Sequence, residues 1–126
     1  LVMAPVAIHD YRKIKRQQID ICKKYKTSFL QIEYFHKVGI SKEINRQRYP
    51  INGRRHPPIA DTTGWYIWFG NEPPTEDEDY FVPLHVDHLL ELCPEVLPYL
   101  GLSPGWRFLL APDYEDVWFD KNLLDI

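Results

Sequence analysis

The first regular pattern along the chain is helical. Apolar residues recur after Asp10 at spacings that place them on one face of a helix, and Asp10 is of a type that caps helix N-termini. The apolar stripe consists of Tyr11, Ile14, Ile21, Cys22 and Tyr25. We therefore predict a helix over residues 11–26. Its other faces are basic, and we expect most of that charge to be simply solvated: Arg12, Lys13, Lys15, Arg16, Lys23, Lys24 and Lys26.

The clearest strand lies in the middle of the chain. Residues 65–69 form a continuous apolar run, WYIWF, between Gly64 and Gly70. Such a run is typical of a strand that is covered on both faces. We predict a central strand here.

The stretch between these elements is harder to interpret. Residues 29–38 (FLQIEYFHKV) fit a short helix and a strand equally well. Residues 51–59 contain the turn dipeptide Asn52-Gly53, the pair Arg54-Arg55 and two prolines, which together predict a surface connection outside the sheet. Two such arginines can bind a carboxylate or a phosphate, but solvated loop residues are the simpler interpretation.

Downstream, the pattern predicts one more helix. Pro83 suits a first helical turn. Apolar residues follow at i, i+3, i+4 and i+7, namely Val86, Leu89, Leu90 and Cys93. Pro94 ends this helix and can open a one-turn successor before Pro98, with Gly101 as a left-handed cap.

The C-terminal part predicts a β-hairpin. Ser103-Pro104-Gly105 has the residue order of a type II turn. Alternation then predicts a strand over 106–110, a turn at 111–114 and a returning strand over 117–119. Asp120 is expected to cap a last helical turn through Leu124.

This order of elements predicts an α+β fold, a single small domain with an antiparallel sheet and helices packed on one face. The domain spans residues 1–126, with a basic helix and flank at 1–36 and an α+β core at 37–126. Neither repeats nor a Gly/Ser linker suggest a second domain. A sheet edge leaves both a monomer and a homodimer open.

Charge is divided between the two halves of the chain. The net charge is only −3, but residues 1–60 hold 13 basic and 4 acidic residues, whereas residues 61–126 hold 2 basic and 14 acidic. Such asymmetry suggests an electrostatic partner or an acidic segment with a function of its own, and an acidic loop that only keeps the protein soluble is an equally good interpretation. The acidic run in residues 71–79 cannot pack and predicts an extended loop. We hypothesise a partner surface made of Glu72, Glu76, Asp77, Glu78, Asp79, Asp113, Glu115 and Asp116, with Tyr66 or Trp68 as an aromatic anchor.

Catalytic signatures are absent from the sequence. It has no Gly-rich phosphate loop, no G-x-S-x-G elbow and no H-E-x-x-H motif. His85 and His88, with Glu91 a turn further on, have metal-compatible spacing on a predicted helix face, but surface histidines are the better interpretation. Cys22 and Cys93 lie on apolar stripes, where thiols are inert. We therefore expect no catalytic residue, no metal and no cofactor.

Two cysteines and no apolar run of membrane length suggest a reducing, cytoplasmic location without a membrane partner. The opening residues 1–8 lack the basic region and cleavage site of a signal peptide.

Several short motifs resemble a known family in their order and spacing. They are Gly64-Trp65-Tyr66-Ile67-Trp68, Gly70-Asn71-Glu72, Pro94-Glu95, Tyr99-Leu100, Pro104-Gly105-Trp106-Arg107-Phe108 and the run from Tyr114 to Asp120. Together, over residues 37–126, they resemble the immunity protein 33 domain of bacterial polymorphic toxin systems. The resemblance implies a small cytoplasmic α+β module that binds and neutralises a cognate toxin without catalysis. It assigns no toxin-contacting residues.

If that toxin is a nuclease, its basic cleft suits the acidic half of this chain. Two alternatives stay open: a nucleic-acid-binding accessory domain that uses the basic helix with Arg54 and Arg55, and a metal-dependent hydrolase built on His85 and His88. We expect no nucleic-acid partner if the resemblance holds.

Overall fold

A six-stranded sheet organises the molecule. The computed structural model describes residues 4–42, 49–70 and 79–125, and its strands lie in the order β4-β1-β3-β2-β5-β6. They are β1 (Lys37–Ser41), β2 (Ile51–Arg55), β3 (Thr62–Phe69), β4 (Phe81–His85), β5 (Trp106–Ala111) and β6 (Tyr114–Phe119). The pair β1 and β3 is parallel, and the other neighbouring strands are antiparallel. The predicted α+β class is confirmed, with a mixed sheet rather than a wholly antiparallel one.

Helical segments cover one face of this sheet. They are α1 (Ala4–Lys24), α2 (Leu89–Leu92) and the 3-10 helices Val86–His88 and Pro94–Tyr99. A third 3-10 helix, Lys121–Leu124, follows β6, and the carbonyl of Leu123 lies 3.1 Å from Nδ1 of His56. The core lies between that layer and the strands, and it includes Ile14, Cys22, Ile40, Trp65, Ile67, Leu89, Leu97 and Phe108. α1 packs on the 3-10 helix Pro94–Tyr99, where the side-chain amide of Gln18 donates to the carbonyl of Leu97 (2.9 Å).

The first helix begins earlier than its apolar stripe predicted. α1 continues upstream to Ala4, so Asp10 lies inside the helix and the capping prediction is wrong. Pro5 lies in the first turn of α1. Proline has no backbone N–H, but an N–H in the first turn has no acceptor within the helix, so nothing is lost there. The stripe itself is confirmed by the buried side chains of Ile14 and Cys22.

The predicted surface connection at residues 51–59 is wrong in its first half. β2 lies between β3 and β5, with Gly53 opposite both Ile67 and Phe108. Asn52-Gly53 is therefore strand and not turn. The Asn52 amide is satisfied by the carbonyl of Gly70 (2.9 Å). The prolines do not interrupt the ladder because β2 has ended before them.

Arg55 is buried rather than solvated. Its side chain is 1% exposed, and its Nε donates to the carbonyl of Thr63 (2.8 Å). One terminal nitrogen donates to three more carbonyls, those of Leu30 (3.1 Å), Leu100 (3.2 Å) and Leu102 (2.7 Å). Burial lowers the pKa of Arg55 to about 10. This side chain joins β2 and β3 to two loops on the helical side of the sheet.

Pro83 marks a strand rather than a helix start. It pairs with Gly39 across β1 and β4, and β4 is an edge strand, where proline is tolerated. The helical turns begin at Val86, and the predicted burial of Val86, Leu89 and Cys93 is confirmed. The 3-10 helix that starts at Pro94 runs through Pro98 to Tyr99.

The remaining turns follow the sequence more closely. Gly105 has φ +98°, as the predicted type II turn requires, but Gly101 is not left-handed. β5 and β6 form the predicted hairpin. The Asp120 carboxylate accepts from the backbone N–H of Asn122 and caps the last turn as predicted. Residues 29–36 form neither a helix nor a strand, apart from a bridge between Phe29 and Leu102.

Candidate partner-binding site

The acidic residues of the hairpin point in different directions. Glu115 and Asp116 are neighbours on β6, so strand alternation places their side chains on opposite faces of the sheet. Glu115 lies on the helical side, where it meets Tyr25 and Tyr99. Asp116 is exposed on the other side, and Asp113 is exposed in the turn with φ +57°.

Glu115 joins three elements through its carboxylate. It accepts hydrogen bonds from the hydroxyls of Tyr25, just beyond α1, and Tyr99, at the end of a 3-10 helix. It also accepts from the ammonium group of Lys24 (2.8 Å). We call these four residues the Glu115 cluster. The cluster links the end of α1 to β6.

The ionisation of Glu115 reflects these contacts. Burial opposes the charged form, but the hydrogen bonds from Lys24, Tyr25 and Tyr99 outweigh it and hold the pKa below its ordinary value of 4.5. Burial and the same carboxylate raise the pKa of Tyr99 and of Tyr25. At neutral pH the cluster therefore holds one carboxylate, one ammonium and two protonated phenols.

We expect Glu115→Gln to lower the free energy of unfolding by about 2 kcal/mol at pH 7, because an amide accepts more weakly than a carboxylate. A depressed folded pKa means that the carboxylate stabilises the protein above its unfolded pKa. This contribution disappears as pH falls through the folded value. Urea unfolding followed by tryptophan fluorescence at pH 7, 5 and 3 measures the difference, which should shrink below about pH 4.

The exposed Asp116→Asn variant is the control for this measurement and should change stability by no more than about 0.5 kcal/mol. Equal effects of the two substitutions at pH 7 would show that the Glu115 cluster contributes nothing special to stability.

A groove lies beside the Glu115 cluster at the β5–β6 hairpin. Its volume is about 470 Å³, and its lining is Tyr49, Glu95, Tyr99 and residues 110–115. We call it the hairpin groove. Tyr49 on this lining is 42% exposed. Tyr114 is 55% exposed, and strand alternation points its side chain to the face opposite Glu115.

The described members of the hypothesised partner surface lie at different places in the structure. Asp113 and Glu115 both line the hairpin groove, whereas Asp116 faces away from Glu115. Asp79 is exposed. Glu72, Glu76, Asp77 and Glu78 lie outside the described residues.

The two aromatic candidates differ. Tyr66 is 36% exposed on the sheet face opposite the helices. Trp68 is fully buried there, with the Arg54 guanidinium 5.2 Å from its ring centre and Phe81 at 6.1 Å. A partner can therefore contact Tyr66 but not Trp68. The large side chain of Trp68 packs inside the protein instead.

Sequence reasoning missed four groove residues, Tyr49, Glu95, Tyr99 and Tyr114. They come from three separate stretches of chain. Glu95, Tyr99 and Tyr114 stand in the motifs that carry the family resemblance, but those motifs do not show that the residues meet around one hairpin.

The histidine pair does not share a helix face. His85 ends β4, whereas His88 lies in the following 3-10 helix, and their ring centres are 6.4 Å apart. Within residues 4–42, 49–70 and 79–125 no three metal-ligating side chains come together. Burial raises the pKa of the Cys22 thiol, which donates to the carbonyl of Gly101 (3.3 Å).

α1 presents its basic residues away from the core. Arg12, Lys15, Arg16 and Lys23 are all exposed, and the ion pairs found in the described part of the chain include none of them. None of the described helices combines the length and the apolar character needed to cross a membrane.

The family comparison agrees with these features. The model of the Imm33-like domain matches residues 17–120. The chain belongs to the Imm33-like family. The match runs from the middle of α1 to the residue that caps the last turn, so it includes the whole sheet. No curated protein and no solved structure matches the chain.

The name of the family indicates an immunity protein of a bacterial toxin system. Both the Glu115 cluster and the hairpin groove lie within the part of the chain that the Imm33-like model matches. The exposed cations Arg12, Lys15 and Arg16 precede it.

Proposed function

We propose that this protein binds and neutralises a cognate bacterial toxin domain by protein–protein contact, without catalysis and in the cytoplasm of the producing cell. Membership of the Imm33-like family over residues 17–120 carries this proposal. Direct contact requires a surface complementary to the toxin and needs neither a cofactor nor a metal. Either a monomer or a homodimer provides such a surface.

The proposed contact residues are acidic. They are Asp79, Asp113 and Asp116, together with the acidic run Glu72, Glu76, Asp77 and Glu78, and Tyr66 is the proposed aromatic anchor. Glu115 supports this surface from within through the Glu115 cluster. For a nuclease toxin with a basic cleft, these carboxylates take the places of nucleic-acid phosphates.

Co-expression tests the function directly. The toxin to use is the C-terminal domain of a large secreted protein encoded beside the gene. We expect the full chain to restore growth of cells that express this domain, and to bind it when both are purified. The proposal is overturned if cells that express the toxin domain fail to grow although the immunity protein is soluble, and if the two purified proteins do not bind each other.

Charge reversal tests the acidic run. We expect the variant with lysine at positions 76, 77, 78 and 79 to bind the toxin domain at least tenfold more weakly at 50 mM salt, with a smaller difference at 500 mM. A control variant reverses Asp20, Asp87 and Asp125, which are exposed elsewhere on the molecule. Isothermal titration calorimetry gives both affinities. Equal affinities for wild type and the first variant at both salt concentrations would remove the run from the interface.

One observation favours a second candidate, which is nucleic-acid binding. The exposed cations of α1, Arg12, Lys15, Arg16 and Lys23, lie opposite its packed face. A gel-shift assay with generic DNA and RNA distinguishes the candidates, because contacts to about four phosphates give affinity that falls steeply with salt. The net charge of −3 opposes this binding.

A further inference from the structure

The two edges of the sheet differ in what they offer to a further strand. In an antiparallel pair, alternate residues turn both backbone groups toward the neighbouring strand, and the residues between them turn theirs away. At one end of the β1–β4 ladder the N–H of Lys42 donates to the carbonyl of Tyr80 (2.9 Å). At the other end the N–H of Val86 donates to the carbonyl of His36 (2.9 Å). The even-numbered residues of β4 therefore face β1, and Pro83 lies at the centre of the outer edge without an N–H.

The outer edge of β6 keeps its donors. The N–H of Asp120 donates to the carbonyl of Gly105 (2.7 Å) at the end of the β5–β6 ladder, so the even-numbered residues of β6 face β5. Glu115, Val117 and Phe119 therefore turn their N–H and carbonyl groups outward. Within the described part of the chain, no backbone hydrogen bond outside the ladder reaches these three residues.

β6 also lacks the features that usually keep an edge strand from pairing. Its sequence, YEDVWF, contains neither proline nor lysine, and its register with β5 runs without a bulge. The carboxylate of Glu115 is paired with Lys24 (2.8 Å). Phe119, at the end of the strand, is 49% exposed. Such an edge is a template for a further strand.

A second copy of the chain supplies such a strand, and the charges of β6 restrict how it can pair. A two-fold axis sets the two copies antiparallel, with one position opposite itself. An axis at Glu115 or Asp116 sets that carboxylate opposite the same carboxylate of the second copy. An axis at Trp118 sets Asp116 opposite Asp120. Like charges directly opposite each other destabilise a strand pair, and an axis at either end of β6 leaves much of the strand unpaired.

An axis at Val117 avoids these conflicts. Outward residues then meet outward residues, because Glu115 lies opposite Phe119 and Val117 lies opposite itself. Each of these pairs exchanges two backbone hydrogen bonds. Between them, Asp116 lies opposite Trp118. This register pairs the whole of β6 and sets no carboxylate opposite another.

The same register brings opposite charges together. Strand alternation places Asp116, Trp118 and Arg107 on the same side of the sheet, and the Arg107 guanidinium lies 5.2 Å from the ring centre of Trp118. Asp116 of the second copy therefore approaches this cation beside the ring. Arg107 also pairs with Asp120 (3.4 Å), and its five N–H donors suffice for two carboxylates. Attraction thus favours the register that repulsion leaves open.

We propose that this protein forms a homodimer in which β6 of one copy pairs antiparallel with β6 of the other about Val117, so that the two six-stranded sheets become one continuous sheet. The pairing concerns the chain alone and does not depend on the proposed function. Its interface is a single pair of strands, so we expect reversible association of modest affinity.

Sedimentation equilibrium of the full chain without toxin tests the dimer. We expect the mass to rise from the monomer value toward the dimer value between about 5 and about 500 µM protein, the range in which a modest affinity is measurable. A monomer mass throughout this range overturns the inference. It leaves the proposed function intact, since toxin binding requires no dimer.

A charge reversal tests the register. Asp116→Lys sets an ammonium group beside Arg107 and should weaken dimerisation at least tenfold. Asp87→Lys makes the same change in charge at an exposed position outside β6 and should stay within twofold of wild type. Asp116 is also a proposed toxin contact, so both measurements are made without toxin. Urea midpoints verify that each variant is folded, and equal association of the two variants overturns the inference.

Cross-linking locates the paired residues. Asp116→Cys and Trp118→Cys chains, mixed and oxidised, should form a disulfide-linked dimer of unlike chains, because opposite residues of such a pair lie about 4.5 Å apart at Cα. Each variant alone sets its new thiols more than about 7 Å apart and should stay unlinked. The native Cys22 and Cys93 are buried. Absence of the link from the mixture, or equal linking in all three samples, overturns the register.

Discussion

Replacing Arg55 by methionine should lower the free energy of unfolding by at least about 3 kcal/mol. Removing the guanidinium leaves the interior carbonyls of Thr63 and Leu102 without the donor they have now. Each unsatisfied buried acceptor costs about 1–3 kcal/mol. A buried ion pair is often replaced by apolar residues at little cost, since both partners are removed together. Here the acceptors are backbone groups, which no side-chain substitution removes.

Urea unfolding at pH 7 with tryptophan fluorescence measures this loss. Trp65 is a suitable reporter because its indole N–H donates to the carbonyl of Leu100, one of the acceptors of Arg55. Arg16→Met, at an exposed position of α1, is the control and should stay within about 0.5 kcal/mol. Arg55→Lys should fall between the two, since an ammonium lacks the planar fork. A loss below 1 kcal/mol for Arg55→Met would contradict this account.

Gly53→Ala should cost about 2–3 kcal/mol, a large effect for a single methyl group. An added Cβ at Gly53 would lie 2.2 Å from Cε2 of Phe108 and 2.3 Å from its Cζ. Phe108 is 1% exposed and is held between Trp65 and Tyr99, with ring centres 5.4 Å away on each side. The ring therefore has no free space, and overpacking of this kind forces strain into the core.

Gly39→Ala is the matched control for Gly53→Ala, because Gly39 also lies within a strand. Its added Cβ would meet the ring of Tyr66 at 2.7 Å, but Tyr66 is 36% exposed and its side chain is able to move outward. We expect a cost below about 1 kcal/mol, offset in part by the entropy that a strand glycine loses on folding. Thermal and urea unfolding of both variants give the comparison. Equal destabilisation would mean that the burial of Phe108 does not decide the cost.

Patterns within one element predicted that element well. The apolar run at residues 65–69 is a central strand, the alternation after Gly105 is a strand of a hairpin, and the stripe of Ile14 and Cys22 faces the core. In the helix and the hairpin strand, burial of one side repeats at the period of the element, and in the central strand a continuous apolar run marks burial on both faces, so the order of residues alone carries the information.

The errors occur where a neighbour decides the role of a residue. Asn52-Gly53 has the composition of a turn, yet Gly53 is needed because Phe108 crosses over it from the adjacent strand. Pro83 suits a helix start and an edge strand equally, and the position of β4 at the edge selects the strand. Arg55 appeared solvated because its four acceptors come from distant parts of the chain.

The candidate site shows the same division. The hypothesised partner residues Asp113, Glu115 and Asp116 belong to the hairpin, and their role in binding stays a prediction. Adjacent residues on a strand point to opposite faces, which separates Glu115 from Asp116. The partners of Glu115 and the groove residues Tyr49 and Glu95 come from other elements, so only the packed structure shows them.

The sequence by itself therefore determined the α+β class, the central aromatic strand, the C-terminal hairpin and the family, because each depends on local order and spacing. The tertiary structure alone decided the central position of β2, the buried role of Arg55 and the groove beside the Glu115 cluster. These features depend on contacts between residues far apart in the chain, and the periodicity of apolar residues within one element does not indicate such contacts.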